Sequence, residues 1–152
     1  MTGPESLFIR EAEESDLPAV LALYAQPDMD GENGLTEAEA LVLFRRMRTY
    51  PDYKVYVAVL GTEIVGTYAL TVMDNLAHRG SRSGLIEDVV VSDNLQGQGI
   101  GRQMMRDALN RCREAGCYKA ALSSNLKRER AHRFYESLGF EKHGFSFYTD
   151  LK

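Results

Sequence analysis

The sequence predicts a single α+β domain spanning residues 1–152, with a mixed, mostly antiparallel sheet of six or seven strands and about four helices. Three observations favour this fold class. The length of 152 residues fits one domain with one full-sized core. An apolar strand at residues 85–91 runs through a glycine-rich turn into an amphipathic helix, and a hairpin precedes it at residues 53–72. No repeat, low-complexity tract or linker divides the chain.

The first half of the chain reads as strand, helix, helix and hairpin. Residues 7–10 form a short strand, and Ser15 or Asp16 then caps a helix that runs to about residue 24. A polar loop at residues 26–35 leads to a capping box, in which Thr36 and Glu39 begin a second amphipathic helix. Residues 53–60 and 63–72 alternate around a Gly-Thr turn, which predicts two antiparallel strands.

The second half contains the strand, turn and helix around which the fold is organised. A polar loop at residues 73–83 precedes the central strand. The helix after the turn carries apolar residues at three-to-four-residue steps, which predicts one buried face. These residues are Ile100, Met104, Met105, Ala108, Leu109 and Cys112. Gly116 then fits a left-handed helix cap. Residues 119–123 read as a strand, residues 130–138 as a helix that ends at Gly139, and residues 140–151 as one or two closing strands.

Composition and charge exclude several classes of protein. Hydrophobic residues make up 44% and charged residues 26%, as in an ordinary soluble protein. No apolar run approaches the roughly 20 residues that cross a bilayer, and the N-terminus is acidic, so we expect a cytoplasmic protein without membrane contact. The net charge of -4 argues against nucleic-acid binding. Cys112 and Cys117 have neither metal-ligand spacing nor a disulfide framework, so no metal is expected.

The glycine-rich turn predicts a phosphate site, because bare N–H groups at a helix start attract anions and glycines let the anion approach. A nucleoside-triphosphate loop would need Lys and then Ser or Thr after the last glycine, and this chain has Arg102 and Gln103. A dinucleotide-binding loop would need its third glycine one residue later. It would also follow the first strand of the fold. Both of these loop types are therefore disfavoured.

A third pattern, Q/R-x-x-G-x-G/A, is matched by Gln96, Gly99 and Gly101. This turn resembles the acetyl-coenzyme A signature of the GNAT superfamily of N-acetyltransferases. The resemblance implies acetyl-coenzyme A as co-substrate and a central strand splayed from the next strand to admit the pantetheine arm. The residues implied to hold the pyrophosphate are Gln96, Gly97, Gln98, Gly99, Ile100, Gly101 and Arg102, and those implied to pair with the arm are Val89, Val90 and Val91. The first helices and their joining loop would form part of the acceptor wall.

A second motif lies at the last helix, where Ala131 and Tyr135 are followed by Gly139 and Phe140. Ala131 and Tyr135 lie four residues apart and so share a helix face. The motif is similar to the fourth-helix signature of the same superfamily, which implies that the Tyr135 hydroxyl lies near the coenzyme sulfur. A phenol with an ordinary pKa of about 10 keeps its proton at neutral pH and can protonate a leaving thiolate. The alternative is a tyrosine that packs in the core.

Two adjacent acids, Glu87 and Asp88, interrupt the apolar central strand. Burial of such acids costs free energy unless at least one of them faces a cleft or a partner. Side chains alternate in a regular strand, so both acids cannot point the same way there, although a bulge would allow it. Residues 84–91 and 116–119 resemble glucosamine-6-phosphate N-acetyltransferases, which implies an acidic pair at the acceptor site. Glu87 is the expected base, acting directly or through water, and Asp88 the ligand of the acceptor ammonium or a structural partner. A salt bridge to a neighbouring cation is the alternative.

The segment 125–135 is similar to aminoalkylphosphonate N-acetyltransferases, as are His143 and Phe145. It departs from the common family pattern, because Arg128 stands where the family has an asparagine three residues before the alanine. Asn125 and Arg128, with Lys127, could contact the pantetheine amides, a phosphate or an anionic acceptor. A solvated basic helix start is the alternative.

These observations predict an enzyme that passes the acetyl group directly to a primary amine of a small molecule. The acceptor could be an amino sugar, an aminoalkylphosphonate, a polyamine or an amino acid. A protein or peptide acetyltransferase and a non-catalytic acyl-coenzyme A sensor are the alternatives. The sequence leaves the oligomeric state open, a homodimer included.

Overall fold

We analysed a computed structural model of the protein, which describes residues 6–124 and 126–152. These residues group into two compact units. The first ends at Ala121 and the second is Leu122–Lys152. None of the helices in the described parts of the chain has the length and apolarity needed to span a membrane.

The first unit is built on a five-stranded sheet whose strands follow chain order. The strands are β1 (Leu7–Glu11), β2 (Tyr53–Leu60), β3 (Glu63–Met73), β4 (Arg82–Val91) and β5 (Cys117–Ala121). Strands β1 to β4 pair antiparallel, and β5 pairs parallel to β4. The predicted α+β class and mixed sheet are therefore confirmed, and β5 begins and ends two residues earlier than predicted.

Four α-helices match the predicted ones. They are α1 (Leu17–Tyr24), α2 (Glu37–Met47), α3 (Ile100–Glu114) and, in the second unit, α4 (Glu129–Ser137). The capping box of α2 is confirmed, because the Thr36 hydroxyl accepts the Glu39 N–H at 3.2 Å and the Glu39 carboxylate accepts the Thr36 N–H at 3.1 Å. Gly116 and Gly139 follow α3 and α4 with φ of 79° and 96°, as expected of left-handed caps.

The prediction of six or seven strands was wrong for the described chain, in which residues 140–152 form no strand. Apolar residues alternate in this segment, but alternation does not supply a neighbouring strand for ladder hydrogen bonds. Beyond Phe140, four large apolar residues of the segment are 87–92% exposed instead of packed on a sheet face. These residues are Phe145, Phe147, Tyr148 and Leu151.

Helices α1 and α2 cover one part of the sheet and form a core with β2. The buried residues of this core come from both helices and from alternate positions of the strand: Leu17, Val20, Ala40, Phe44, Val55, Val57 and Val59. Burial of each Leu, Val or Phe side chain in this core stabilises the fold by about 1.5–3 kcal/mol.

Helix α3 packs closely against β3 and β4, and two glycines in these strands allow the contact. A Cβ atom on Gly84 would lie 2.5 Å from Sγ of Cys112, and one on Gly66 would lie 2.5 Å from Sδ of Met104. Met104 and Cys112 are fully or almost fully buried. Their placement confirms the buried face that the sequence predicts for this helix.

A polar cluster fixes α3 at its middle. The buried Tyr68 of β3 donates its hydroxyl proton to Oδ2 of Asp107 at 2.5 Å, and Nε of Arg111 donates to the same oxygen at 2.7 Å. The Arg111 guanidinium lies 4.1 Å from the centre of the Tyr56 ring. Because Tyr68 and Arg111 both donate to it, the partly buried carboxylate of Asp107 is satisfied.

The start of the chain is held by a charge-assisted pair between β1 and the helix entry. Arg10 donates two hydrogen bonds to Asp16, at 2.6 and 2.9 Å, and the Glu13 N–H donates a third at 2.7 Å. Asp16 is only 5% exposed. The Arg10 hydrogen bonds lower the pKa of the Asp16 carboxyl, and the Glu13 N–H adds to this effect against the opposing effect of burial.

Asp16→Asn should therefore lower the free energy of unfolding by about 1–3 kcal/mol at pH 7, because it leaves Arg10 without its charged partner. The lowered pKa of Asp16 means that this contribution is complete above the ordinary value of 3.8 and is lost as the pH falls through the folded-state pKa. Urea unfolding of both proteins at several pH values measures the difference. A difference that stays constant down to pH 2 would contradict the assignment.

Candidate functional site

Strand β4 contains a bulge at its two acidic residues. Thr67 of β3 faces Val90, whereas Ala69 faces Glu87, so Tyr68 lies opposite both Asp88 and Val89. Asp88 has a φ of 53°, a left-handed conformation that Asp adopts more readily than most residues. The bulge interrupts the alternation of the strand. As a result, Glu87 and Asp88 both keep exposed surface, next to a buried Ile86.

The second half of β4 extends beyond its pairing with β5. The ladder between the two strands starts at Arg82 and Cys117 and ends at Leu85 and Ala121. Residues 86–91 of β4 continue past the end of β5, and they include the bulge and Val89, Val90 and Val91. In this stretch the edge of β4 carries no ladder to β5, so its backbone groups can pair with an extended ligand.

The glycine-rich turn follows β4 and begins α3. Gly97 and Gly99 have φ of 84° and 83°, and a Cβ atom on either one would meet no atom within 4 Å. These glycines are therefore required by the backbone conformation, and the space above them is open. Gln96 and Gln98 are exposed in the same turn, and the Gln96 amide donates to Asp93 at 3.4 Å.

The start of α3 presents backbone N–H groups to this open space. Gly99 occupies the N-cap position and supplies no side chain, and the helical ladder begins with the Gln103 N–H donating to the Gly99 carbonyl at 3.1 Å. The N–H groups of Ile100 and Gly101 precede that ladder and lie at the positive end of a fifteen-residue helix. Arg102 follows in the same first turn. An anion at this point would meet N–H donors and a favourable helix dipole.

Gln26 holds the end of β4, and sequence reasoning missed it. Its amide nitrogen donates to the Val91 carbonyl at 3.2 Å, and its amide oxygen accepts the Asp93 N–H at 2.8 Å. The side chain thus joins the loop after α1 to the strand that leads into the glycine turn. The partners are 65 and 67 residues away in sequence, so no local pattern could indicate the contact.

A cavity of about 200 Å³ lies in the first unit, where α1, α2 and the loop between them approach β2, β3 and β4. Most of its wall is aliphatic or aromatic, and Tyr24, Tyr53, Asp30 and Asp88 supply its polar groups. The apolar wall consists of Leu17, Val20, Leu21, Leu35, Ala40, Leu43, Phe44, Met47, Val55 and Ala69. The cavity brings the bulge residue Asp88 together with the first two helices.

The polar groups of the cavity influence one another's pKa values. Partial burial raises the pKa of Asp88, and the charge of Asp30 raises it further. Burial also raises the pKa of Tyr24 far above its ordinary value, with a contribution from Asp88. The pKa of Tyr53 is raised by burial and then by the charges of Asp88 and Glu87. Both phenols therefore keep their protons at neutral pH and offer neutral hydroxyl groups.

The second unit contains the remaining predicted residues. Tyr135 lies on α4 with its ring centre 5.3 Å from that of Phe134 and 5.9 Å from that of Phe140. Burial raises the pKa of Tyr135, and Arg128, at the N-cap of α4, opposes the rise. Ala131 is one turn before Tyr135 on this helix, as predicted. Asn125 lies outside the described residues.

The chain is similar to known proteins in sequence and in fold. The model of the Acetyltransferase (GNAT) family matches residues 13–140. Glucosamine 6-phosphate N-acetyltransferase of Trypanosoma brucei brucei is 34% identical over 158 aligned positions, which cover 99% of this chain and all of that protein. Aminoalkylphosphonate N-acetyltransferase of Salmonella typhimurium is 35% identical over 64% of this chain and 62% of its own length. The structure of glucosamine-6-phosphate N-acetyltransferase from Arabidopsis thaliana superposes with a TM-score of 0.84 at 25% identity, covering 97% of this chain and all of that one.

The left-handed conformation at the bulge leads to a stability prediction. Asp88→Gly should leave the free energy of unfolding unchanged or raise it slightly, because glycine adopts a φ of 53° without strain. Asp88→Val should lower it by about 1–2 kcal/mol, because a β-branched residue is strained in that conformation. Urea unfolding measures both variants. Equal stability of the glycine and valine variants would argue against the bulge.

Proposed function

The chain belongs to the GNAT acetyltransferase family, and from that premise we propose that it transfers an acetyl group from acetyl-coenzyme A to a primary amine of a small molecule. The observation that carries the proposal is the continuous path from the open edge of β4 to the glycine turn and the start of α3. We further propose that residues 1–152 act as one domain, since the family match at residues 13–140 extends across Ala121.

The glycine turn fits the diphosphate of the coenzyme. The open space above Gly97 and Gly99 admits an anion, and the N–H groups of Ile100 and Gly101 meet it at the positive end of α3. In this proposal the residues from Gln96 to Arg102 surround the diphosphate, and the guanidinium of Arg102 adds positive charge. The backbone of Val89, Val90 and Val91 pairs with the amides of the pantetheine arm, in the manner of an added strand.

The reaction needs a base for the amine and an acid for the departing sulfur. Acetyl-coenzyme A, when bound, supplies an electrophilic thioester carbonyl and a thiolate leaving group. An acceptor that enters as an ammonium first loses one proton to solvent, which frees the nitrogen lone pair. The neutral nitrogen then forms the new C–N bond as the C–S bond breaks, and a second proton leaves the nitrogen while the thiolate gains one. Glu87 takes the amine proton directly or through water. Asp88, which lines the cavity, holds the acceptor nitrogen before that transfer.

Tyr135 is the proposed acid. Its raised pKa keeps the phenol protonated at neutral pH, so it has a proton to give when the thiolate forms. Ala131 and Arg128 on the same helix, with Asn125, are proposed to contact the coenzyme. The hydroxyl of Tyr135 would lie near the sulfur in the working enzyme.

Gly99→Glu should abolish coenzyme binding, because it strains a φ of 83° and places a negative charge where the diphosphate belongs. Gly116→Glu is a matched control: its φ is 79°, its surroundings are equally open, and it lies at the other end of α3. Calorimetry with coenzyme A should show no detectable binding for the first variant and unchanged affinity for the second. Retained affinity in Gly99→Glu would refute the diphosphate assignment.

Tyr135→Phe should lower turnover by roughly 10²-fold, a typical contribution of a positioned acid, with coenzyme affinity nearly unchanged. Tyr148→Phe, at a side chain that is 87% exposed in the same unit, is the control. Thiol release is measured with the best acceptor from a panel of amino sugars, aminoalkylphosphonates, polyamines, amino acids, apolar amines and peptides. Equal turnover of Tyr135→Phe and the parent protein would remove this residue from the mechanism.

A further inference from the structure

The cavity beneath α1 and α2 has the wrong chemistry for the phosphorylated or phosphonate acceptors after which the relatives are named. We propose that the acceptor of this protein is a cationic primary amine on a short apolar tail, with the tail in the cavity and the ammonium between Asp30 and Asp88. This inference rests on the proposed acetyl transfer and specifies the substrate class of that same site.

The described part of the cavity wall contains no cation. Of the described residues that line it, none is Arg, Lys or His, and both charged ones are Asp. A phosphate or phosphonate needs charge-assisted donors, usually from Arg or Lys. In this cavity it would instead meet two carboxylates of like charge. Such a ligand would lose hydration without receiving compensating partners.

Arg45 of α2 and Arg48, which caps the C-terminus of this helix, have other contacts. Arg45 donates to Glu14 at 2.8 Å, on the exposed side of the helix. The Arg48 guanidinium lies 5.5 Å from the centre of the Phe44 ring, and Arg48 does not line the cavity. Neither Arg45 nor Arg48 therefore supplies a positive charge to the cavity wall.

The two carboxylates of the cavity are complementary to an ammonium group. Asp30 and Asp88 both line the cavity, and the charge of Asp30 is one reason why the pKa of Asp88 is raised. A cation between them would relieve this repulsion. The phenol hydroxyls of Tyr24 and Tyr53 keep their protons and can accept hydrogen bonds from the ammonium, and their rings offer faces that attract cations.

The rest of the cavity wall is apolar, and the cavity is large enough for a small apolar group. Ten of the fourteen lining residues are apolar, so most of the ligand surface that enters should also be apolar. A cavity of roughly 150 Å³ lined by Leu, Ile and Phe is enough to hold benzene. About 200 Å³ therefore accommodates one ring or a branched alkyl group with a short arm that reaches the carboxylates.

Binding in the presence of coenzyme A tests this inference without requiring turnover. Calorimetry should show that 2-phenylethylamine binds at least tenfold more tightly than 2-phenylethanol, which has the same tail without the positive charge. Glucosamine 6-phosphate should bind no more tightly than glucosamine, since its phosphate would meet no cation in the described cavity wall. A tighter complex with the phosphorylated sugar, or equal affinity for the phenyl amine and alcohol, would overturn the proposal.

Two neighbouring positions on α2 provide a matched pair of variants. Leu43 lines the cavity and is 38% exposed, whereas Val42 lies outside it and is 61% exposed. Leu43→Arg should weaken 2-phenylethylamine binding at least tenfold, because it places a cation in the wall, and Val42→Arg should leave it unchanged. Equal effects of the two substitutions, in variants with the thermal stability of the parent protein, would place the amine elsewhere.

Thiol release separates this proposal from the general one. Fast release with glucosamine 6-phosphate and none with apolar amines would retain the acetyltransferase function and refute the acceptor class. Binding of 2-phenylethylamine without thiol release from any amine in the panel would retain the cavity assignment and refute acetyl transfer.

Discussion

The close contact of α3 with β3 and β4 is the constraint on which the rest of the site depends. Gly84 lets Cys112 approach the sheet, and Gly66 does the same for Met104. A Cβ atom at either glycine would overlap the facing sulfur, so a larger residue would require that side chain or the helix to shift. The hydrogen bonds of Tyr68 and Arg111 to Asp107 then fix the helix at its middle. The open N–H groups of its first turn therefore have a defined position beside the strand.

The same strand also organises the acceptor side. β4 pairs with β5 only as far as Leu85, and its bulge begins three residues later, at Asp88. The unpaired edge and the bulge thus occupy one short stretch. Through the bulge, the strand presents an acidic side chain to the cavity under α1 and α2, while its backbone continues toward the glycine turn. A single irregular strand can in this way contact both the donor and the acceptor of a group transfer.

The elements that could be predicted from the sequence are those determined by local chemistry. Helix α3 follows from its apolar spacing, α2 from the Thr36 and Glu39 capping box, and the hairpin from alternation around Gly61. The acidic pair indicates that a regular strand cannot aim both carboxylates the same way, but it does not indicate where the register shifts. The position of the bulge therefore could not be predicted. Gln26 and the cavity wall depend on contacts between distant segments. The closing strands at residues 140–151 were predicted wrongly because alternation does not specify a partner.

Because of this difference between local and distant contacts, the relatives give more information about the coenzyme than about the acceptor. In the proposed mechanism the donor half uses a short glycine motif and backbone N–H groups, which are retained while side chains elsewhere change. The acceptor half depends on side chains from α1, α2, their loop and three strands, so a few substitutions alter its charge. At 34% identity the coenzyme can be inferred from the family, whereas the acceptor must be inferred from the cavity itself. Two carboxylates and an apolar wall favour an amine cation with an apolar tail over a sugar phosphate.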